Sequence, residues 1–265
     1  MAHTLNAERG LDGTAAGRLA ALDAHAVREA RLDLAASLRM AARLGMGEGI
    51  CNHFSAMLPG SDEFFLVNAY GLAFDEITAS NLLVCDFHGN VAQGQGRPEA
   101  TAFYIHARVH KQHPRARAVF HTHMPNATAL CLVEGDPLLW ASQTALKFWG
   151  RVAVDDDYNG LALDESEGDR IAAAIGEADI VFMKNHGVMV LGKSIALAWD
   201  DLYFLERAAE VQRLAATTGR RLKPVPPAIA AKTAAQTLAE DPASARAHLD
   251  SVRRRLMKHD PEFSL

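Results

Sequence analysis

The amino-acid sequence predicts an α/β fold in which helices cover a mainly antiparallel sheet. Short apolar runs follow one another through hairpin-type turns, which is typical of neighbouring antiparallel strands. Segments with apolar residues at helical spacing lie between these runs. A wholly parallel, doubly wound sheet is disfavoured, because neighbouring parallel strands need long crossover connections instead of short turns. The length of 265 residues suits one large domain with extensions.

The first segment predicts an arm followed by a helix. Residues 1–26 mix glycine, alanine and polar residues without a clear period, so we expect a flexible arm. From about residue 27 to residue 44, leucine and methionine recur at helical spacing among charged residues. The glycine cluster Gly45, Gly47 and Gly49 is expected to end this helix.

The middle of the chain predicts strands interspersed with helices. Strands are expected at residues 53–58, 63–68, 82–87, 116–121, 152–154, 180–183 and 188–191. Pro59-Gly60-Ser61-Asp62 and His88-Gly89-Asn90 are turn signals, and Thr78 is expected to cap a short helix before the third strand. Pro98 is expected in the first turn of a helix that runs to about residue 112. Further helices are expected around residues 127–133, 167–175 and 195–217.

A proline-rich segment marks a boundary near the end of the chain. Residues 223–227 read Lys-Pro-Val-Pro-Pro and interrupt the helical pattern. We therefore expect a main domain at residues 27–222 and a helical tail at residues 223–265. Because proline usually ends a helix, the tail is predicted as two helices divided at Asp241-Pro242.

Charge and cysteine content exclude several classes of partner. The net charge is −5, which gives no electrostatic reason to expect nucleic acid or an anionic membrane as partner. The three cysteines Cys51, Cys85 and Cys131 are too far apart for a CxxC metal site and odd in number. The start of the chain lacks the apolar core of a signal peptide, and no apolar run is long enough to span a bilayer. These features predict a cytoplasmic protein with free thiols.

His121 and His123 are the strongest candidates for a metal site. They are two residues apart at the end of an apolar strand, and alternate residues of a strand point to the same face. A metal such as zinc needs a third ligand, and His186, in the turn Lys184-Asn185-His186-Gly187, is the best candidate. Histidines in strands are also often solvated or simply hydrogen-bonded, so both interpretations remain open on spacing alone.

Glu99 follows a glycine-rich segment at the predicted start of a helix. A carboxylate in this place can simply complement the helix dipole, a stabilisation of about 0.3–1 kcal/mol. Alternatively, the loop delivers a fixed carboxylate to a cleft, where it can move protons beside a metal ion.

Several ordered motifs together resemble the class II aldolase/adducin family over about residues 27–217. The matching stretches are Cys51-Asn-His-Phe-Ser55, Tyr70-Gly71 with Ile77-Thr-Ala-Ser80, Arg97-Pro-Glu99, Val119-Phe-His-Thr-His123 and Lys184-Asn-His-Gly-Val188. The resemblance implies a three-layer α/β/α sandwich and a homotetramer with sites between subunits. It also implies that His121, His123 and His186 bind Zn²⁺, or Mn²⁺ or another divalent ion, and that Glu99 is the catalytic acid/base.

The same resemblance implies a function. An aldolase-type lyase of this family cleaves a carbon–carbon bond of a small hydroxy-carbonyl or hydroxy-acid substrate through a metal-stabilised enediolate. Sugar-phosphate aldolases of the family usually have Ser-Ser before the glutamate and Gly-Asn in the early loop. Here Arg97-Pro98 and Cys51-Asn52 occupy these places, so we expect a substrate without phosphate, and Arg97 could hold a carboxylate.

Candidate substrate-binding residues follow from the matching motifs. They are Asn52, His53, Ser55, Tyr70, Gly71 and Arg97, and Tyr158 is a candidate proton donor.

Two alternatives remain open. Loss of CO₂ from a keto or hydroxy acid uses the same kind of stabilised enolate, so a decarboxylase is the first. The segments at residues 52–55 and 157–161 also resemble the adducin head branch, a non-catalytic module that keeps the histidines and lacks the glutamate. Glu99 therefore favours an enzyme over an interaction module.

Overall fold

A mixed eight-stranded sheet forms the centre of the protein. The computed structural model describes residues 14–162 and 164–265, and this part of the chain contains all of the elements named below. The strands run in the spatial order β4-β3-β2-β1-β5-β8-β7-β6. Their bounds are β1 His53–Met57, β2 Phe64–Val67, β3 Leu83–Asp86, β4 Val91–Gln93, β5 Ala118–Thr122, β6 Val152–Asp155, β7 Ile180–Met183 and β8 Gly187–Gly192.

Neighbouring strands are antiparallel, except that β6 pairs parallel with β7 at one edge. The predicted mainly antiparallel sheet is therefore confirmed. The short strand β4 was not predicted. It follows the predicted turn at residues 88–90, where the Asp86 carboxylate accepts hydrogen bonds from the His88 and Asn90 amides at 2.8 and 3.0 Å.

Helices cover both faces of the sheet, which makes the fold a three-layer α/β/α sandwich. The helices are α1 Ala15–Ala20, α2 Ala24–Arg43, α3 Ala100–Gln112, α4 Pro125–Cys131, α5 Gln143–Leu146, α6 Glu165–Ile175, α7 Ile195–Ala216 and α8 Pro227–His259. Helices α3 and α6 pack on one face, where Val119 and Val181 point. Helices α2, α4, α7 and α8 pack on the other face, where Phe120 and Phe182 point. The alternation of buried residues along β5 and β7 thus supplies two separate cores.

The prediction of a flexible arm over residues 1–26 was wrong where it can be checked. Thr14 caps α1, and the Asp23 carboxylate caps α2 by accepting hydrogen bonds from the His25 and Ala26 amides at 2.9 and 3.1 Å. Helix therefore begins well before residue 27, because two short polar side chains satisfy the free amides of the first turns. The rest of the predicted arm, residues 1–13, lies outside the described residues.

Thr78 does not cap a helix. A short 3₁₀ turn lies earlier, at Phe74–Glu76, and the Thr78 hydroxyl accepts a hydrogen bond from the Asn81 amide at 3.2 Å in a turn before β3. Threonine and serine make the same hydrogen bond at turns as at helix caps, so this local signal did not separate the two.

The predicted break in the C-terminal segment was also wrong. Helix α8 continues through Pro242, and a 3₁₀ turn at Pro261–Ser264 follows it. Leu249, Val252 and Leu256 of α8 are buried in the same core as α2 and α7. Packing of this apolar face stabilises the helix despite the missing amide of Pro242.

None of the helices in the described part of the chain is long and apolar enough to cross a membrane.

Candidate metal centre

Three histidines converge where the central strand β5 ends and its neighbour β8 begins. His121 lies in β5, His123 follows the strand directly, and His186 lies in the turn between β7 and β8. Their ring centroids are 4.8–5.0 Å apart. In the described part of the chain, these three residues have a spacing that could hold a metal ion. One ligand nitrogen from each ring lies within 4.8 Å of the others. The predicted grouping of these side chains is therefore present in the structure.

The turn that carries His186 depends on its neighbours. Asn185 has a φ of 58°, in the left-handed region that asparagine tolerates better than most residues. A Cβ atom on Gly187 would lie 2.7 Å from Cδ2 of His123 and 2.8 Å from the Thr122 carbonyl oxygen. Only glycine lets β8 start this close to His123, so the Asn-His-Gly sequence is needed to bring the third histidine to the other two.

Two of the histidines make a hydrogen bond to the protein through Nδ1. Nδ1 of His121 donates to the Val188 carbonyl oxygen at 3.0 Å, and Nδ1 of His123 donates to the carboxylate of Glu48. Each Nε2 is therefore left with its lone pair, the atom that a metal requires. Nε2 of His123 is buried and has no hydrogen-bond partner. An uncompensated buried nitrogen is costly unless an ion or a donor meets it, so the donor set fits a divalent metal.

Burial keeps two of these imidazoles neutral. It lowers the pKa of His186 to about 4, and together with the neighbouring histidines it holds the pKa of His121 well below its usual value. Three imidazole ligands suit Zn²⁺ and related ions, and leave a coordination position for substrate.

Glu99 caps helix α3 and lies one residue before the helix begins. The prediction that Pro98 opens the helix was thus wrong by two residues, since α3 starts at Ala100. The Glu99 carboxylate accepts hydrogen bonds from the Ala102 amide at 3.0 Å and from the Thr101 hydroxyl. Burial raises the pKa of Glu99, but these hydrogen bonds and nearby His53 lower it more, and the net pKa falls below its usual value. Glu99 is therefore a carboxylate at neutral pH.

His53 lies next to both Glu99 and the three histidines. Pairing of β1 with β5 places His53 opposite His121, and their rings are stacked with centroids 6.4 Å apart. Nε2 of His53 is 3.9 Å from a carboxylate oxygen of Glu99 and is buried without a hydrogen-bond partner. Burial lowers the pKa of His53 to about 4. His53 is thus a neutral polar group beside the acid/base candidate.

Ser55, a predicted substrate-binding residue, is buried against helix α3. Its hydroxyl is fully buried and bonds Nδ1 of His106 at 2.6 Å and Nε2 of His110 at 2.8 Å. Nδ1 of His110 must donate to the Ala116 carbonyl oxygen at 2.7 Å, because a carbonyl only accepts. In neutral His110, Nε2 then accepts from Ser55, and Ser55 accepts from His106. The spacing of four residues on one helix was the signal for His106 and His110, which the sequence reasoning did not use.

We expect Ser55→Ala to destabilise the protein. The change removes the partner of one buried nitrogen in each of His106 and His110, and each loss costs about 1–3 kcal/mol. The free energy of unfolding in urea measures the loss. Ser80→Ala removes an exposed hydroxyl and should change it by less than about 0.5 kcal/mol. A Ser55→Ala variant as stable as the Ser80→Ala variant would contradict the hydrogen-bond chain.

Asn52 contacts His123, whereas Arg97 and Tyr70 contact each other. Oδ1 of Asn52 accepts the Glu48 and His123 amides at 2.9 and 3.3 Å, whereas its buried Nδ2 has no partner. The Arg97 guanidinium lies over the ring of exposed Tyr70, 4.6 Å from the centroid. Gly71 follows with a φ of 91° and no atom near its missing Cβ.

Tyr158 is exposed on the loop after β6. Its ring centroid is 6.3 Å from that of His186. This candidate proton donor therefore lies near the histidines of its own subunit.

Comparison with known proteins identifies the family. Residues 32–213 match the model of the class II aldolase and adducin N-terminal domain, and the chain belongs to this family. It is 37% identical over 193 residues to a putative aldolase class 2 protein of Caulobacter vibrioides, covering 72% of this chain and 74% of that one.

Two solved structures share the fold closely. An aldolase II superfamily protein from Pseudomonas syringae aligns with a TM-score of 0.85 and 34% identity, over 94% of this chain and 100% of that one. The L-fuculose 1-phosphate aldolase of Glaciozyma antarctica aligns with a TM-score of 0.77 and 26% identity, over 89% and 92%.

Proteins of different function also match this chain. Decarboxylase NovR of Streptomyces niveus is 31% identical over 189 residues, covering 70% of this chain and 69% of that one. Alpha-adducin of Rattus norvegicus is 31% identical over 187 residues, covering 69% of this chain and 25% of that one. Family membership alone therefore does not determine which reaction a member catalyses.

Proposed function

We propose that this chain is a divalent-metal-dependent carbon–carbon lyase acting on a small hydroxy-carbonyl or hydroxy-acid substrate. The observation that carries the proposal is the pairing of three convergent imidazoles with the nearby ionised Glu99. His121, His123 and His186 would hold Zn²⁺, Mn²⁺ or another divalent ion. An ion held there would act as a Lewis acid that draws electrons from a substrate carbonyl.

The protein's own residues would handle the proton. Glu99 is ionised at neutral pH and therefore takes a proton before it gives one. In cleavage, it would accept the hydroxyl proton as the carbon–carbon bond breaks, and then return the proton to the carbon that keeps the bonding electrons. His53, 3.9 Å from this carboxylate, would orient it during the transfer. Tyr158 would donate a hydrogen bond to a substrate oxygen from the open side of the site.

We propose a substrate without phosphate but with a carboxylate. Arg97 and Tyr70 form a cation–π pair beside the loop that carries Glu99. Guanidinium binds carboxylates through two parallel hydrogen bonds. A carboxylate substrate is equally compatible with decarboxylation at the same site, and NovR, a named decarboxylase, has 31% identity to this chain. Decarboxylation is therefore the second candidate reaction.

Location and assembly are part of the same proposal. The free thiols of Cys51, Cys85 and Cys131 favour the reducing cytoplasm. We also propose a homotetramer with its active sites between subunits, the arrangement implied by the resemblance. Exposed apolar side chains such as Leu132, Val133 and Leu139 would suit contacts between copies.

A substrate panel tests the proposed function. The metal-loaded protein is incubated with hydroxy acids, keto acids and sugar phosphates, and the release of aldehyde, pyruvate and CO₂ is measured. Aldehyde or pyruvate release supports the lyase, whereas CO₂ release alone supports the decarboxylase. No release of any of the three products across the panel, with metal bound, would favour a non-catalytic adducin-like module.

We expect Arg97→Ala to raise KM for a carboxylate substrate with little change in kcat. Loss of hydrogen bonds to a charged group costs about 1.5–3 kcal/mol, roughly a 10- to 150-fold rise. Arg97→Lys should recover only part of this, because lysine cannot bind a carboxylate in the same bidentate way. Steady-state kinetics with a matched substrate that lacks the carboxylate provides the control. An equal rise for both substrates would contradict carboxylate binding by Arg97.

A further inference from the structure

We propose that Glu48 is a positioning residue of the metal centre, which orients His123 and raises the affinity of the site for a divalent ion. The inference rests on the proposed function only insofar as the three histidines bind metal. It concerns Glu48 and the loop between α2 and β1, and needs no substrate for its test.

The contact is specific. The Glu48 carboxylate accepts the Nδ1 proton of His123, which turns Nε2 of that ring toward the other two histidines. The corresponding hydrogen bond of His121 goes to a backbone carbonyl, so the two rings differ in the charge behind them. A carboxylate behind an imidazole makes its other nitrogen a stronger electron donor to a metal. Glu48 would thus make His123 a stronger ligand than a neutral partner could.

One buried side chain holds both partners in place. Oδ1 of Asn52 accepts the Glu48 amide at 2.9 Å and the His123 amide at 3.3 Å. Asn68 fixes Asn52 in turn, because its Nδ2 donates to the Asn52 carbonyl at 3.1 Å. The Glu48 side chain is 66% exposed, and an exposed ion pair alone would contribute little. Here the backbones of both partners are tied to the same atom, which reduces the entropy cost of the contact.

The bend of the loop is compatible with this role. Gly45 and Gly49 flank Glu48 with φ values of 67° and 56°, and no atom lies near their missing Cβ positions. These left-handed residues turn the chain after α2 and lead it to the start of β1. The glycine cluster that marks the end of α2 therefore also places a carboxylate behind His123.

Two substitutions separate charge from hydrogen bonding. Glu48→Gln keeps an oxygen that can accept from Nδ1 but removes the negative charge, whereas Glu48→Ala removes both. Loss of such partners typically weakens metal binding about 10- to 100-fold. We therefore expect Zn²⁺ affinity to fall about 10-fold for Glu48→Gln and up to about 100-fold for Glu48→Ala.

The experiment measures Zn²⁺ affinity of the full chain by competition with a chromophoric chelator. The visible absorption of the Co²⁺-loaded protein reports the ligand geometry, and circular dichroism checks the fold. Glu177→Gln is the matched control. Glu177 is an exposed glutamate before the start of β7, at the opposite end of that strand from His186, and should leave affinity and spectrum unchanged.

The outcomes distinguish this proposal from the proposed function. Tight Zn²⁺ binding by the unsubstituted chain, with unchanged affinity and Co²⁺ spectrum in both Glu48 variants, overturns the role of Glu48 and leaves the lyase proposal standing. Failure of the unsubstituted chain to bind Zn²⁺, Mn²⁺ or Co²⁺ overturns both. A graded loss, larger for Ala than for Gln, supports Glu48 as a positioning residue whether or not a substrate has been found.

Discussion

Glu99→Gln is expected to reduce kcat about 10²- to 10⁴-fold, the usual contribution of a general acid/base, while metal content stays unchanged. Glutamine is almost isosteric and keeps the oxygen that caps α3, but it cannot take up the proton of the substrate hydroxyl. Turnover and bound metal are measured on the same preparation. The convergent ligand atoms come from three histidines and not from Glu99. Loss of turnover should therefore occur without loss of metal.

Two control variants make this result specific. His121→Ala should lose metal and turnover together, because it removes a ligand. Asp164→Asn weakens another helix cap, since Asp164 accepts the Ser166 and Glu167 amides at 2.9 and 3.3 Å at the start of α6. This control should lose comparable stability and keep full activity. A Glu99→Gln variant with more than one tenth of normal kcat would contradict the assigned role.

The sequence was most informative where local geometry suffices. Alternation along a strand places His121 and His123 on one side. The register that brings His53 opposite His121 is visible only in the structure. The Asn-His-Gly turn can also be recognised from its residue types, because asparagine tolerates a left-handed backbone and glycine has no Cβ atom. The expected proximity of His121 and His123 therefore follows from a short-range rule, whereas the approach of His186 depends on the pairing of β5 with β8.

Residues that depend on loops or on long-range packing were missed. Glu48 lies in a glycine-rich loop with no regular period, and its contact with His123 spans 75 positions in the chain. His106 and His110 lie in a predicted helix, but their partner Ser55 lies on a distant strand. Only tertiary structure shows such pairs, because hydrogen-bond partners of buried polar groups come from wherever the fold supplies them.

The continuous helix α8 shows tertiary packing overriding a local signal. Pro242 removes one amide from the helix, which local rules treat as a break. The preceding residue, Asp241, is buried, and its carboxylate is 2.7 Å from Nζ of Lys147. A buried ion pair next to the proline, together with the apolar face of α8, holds both halves of the helix in one line against α5 and α7.

Lys147→Met is expected to destabilise the protein by about 3–5 kcal/mol, the cost of removing one partner from a buried ion pair. Nζ of Lys147 lies 2.7–3.2 Å from carboxylate oxygens of Asp241, Asp200 and Asp201. Burial lowers the pKa of Lys147, but the three carboxylates raise it more. Burial raises the pKa of Asp201, whereas Arg151 and then Lys147 lower it, so loss of the lysine charge leaves this buried carboxylate with less compensation.

Denaturant unfolding of four variants, each compared with the unsubstituted chain, tests this network. Lys232→Met, at an exposed position of α8, makes the same substitution without breaking a buried pair and should change stability by less than about 0.5 kcal/mol. Lys147→Met leaves the Asp241 carboxylate without its partner, and Asp241→Asn removes that negative charge. The double variant should therefore lose less stability than the sum of the two single losses. Strict additivity, or a Lys147→Met variant as stable as Lys232→Met, would show that α8 is held by its apolar face alone.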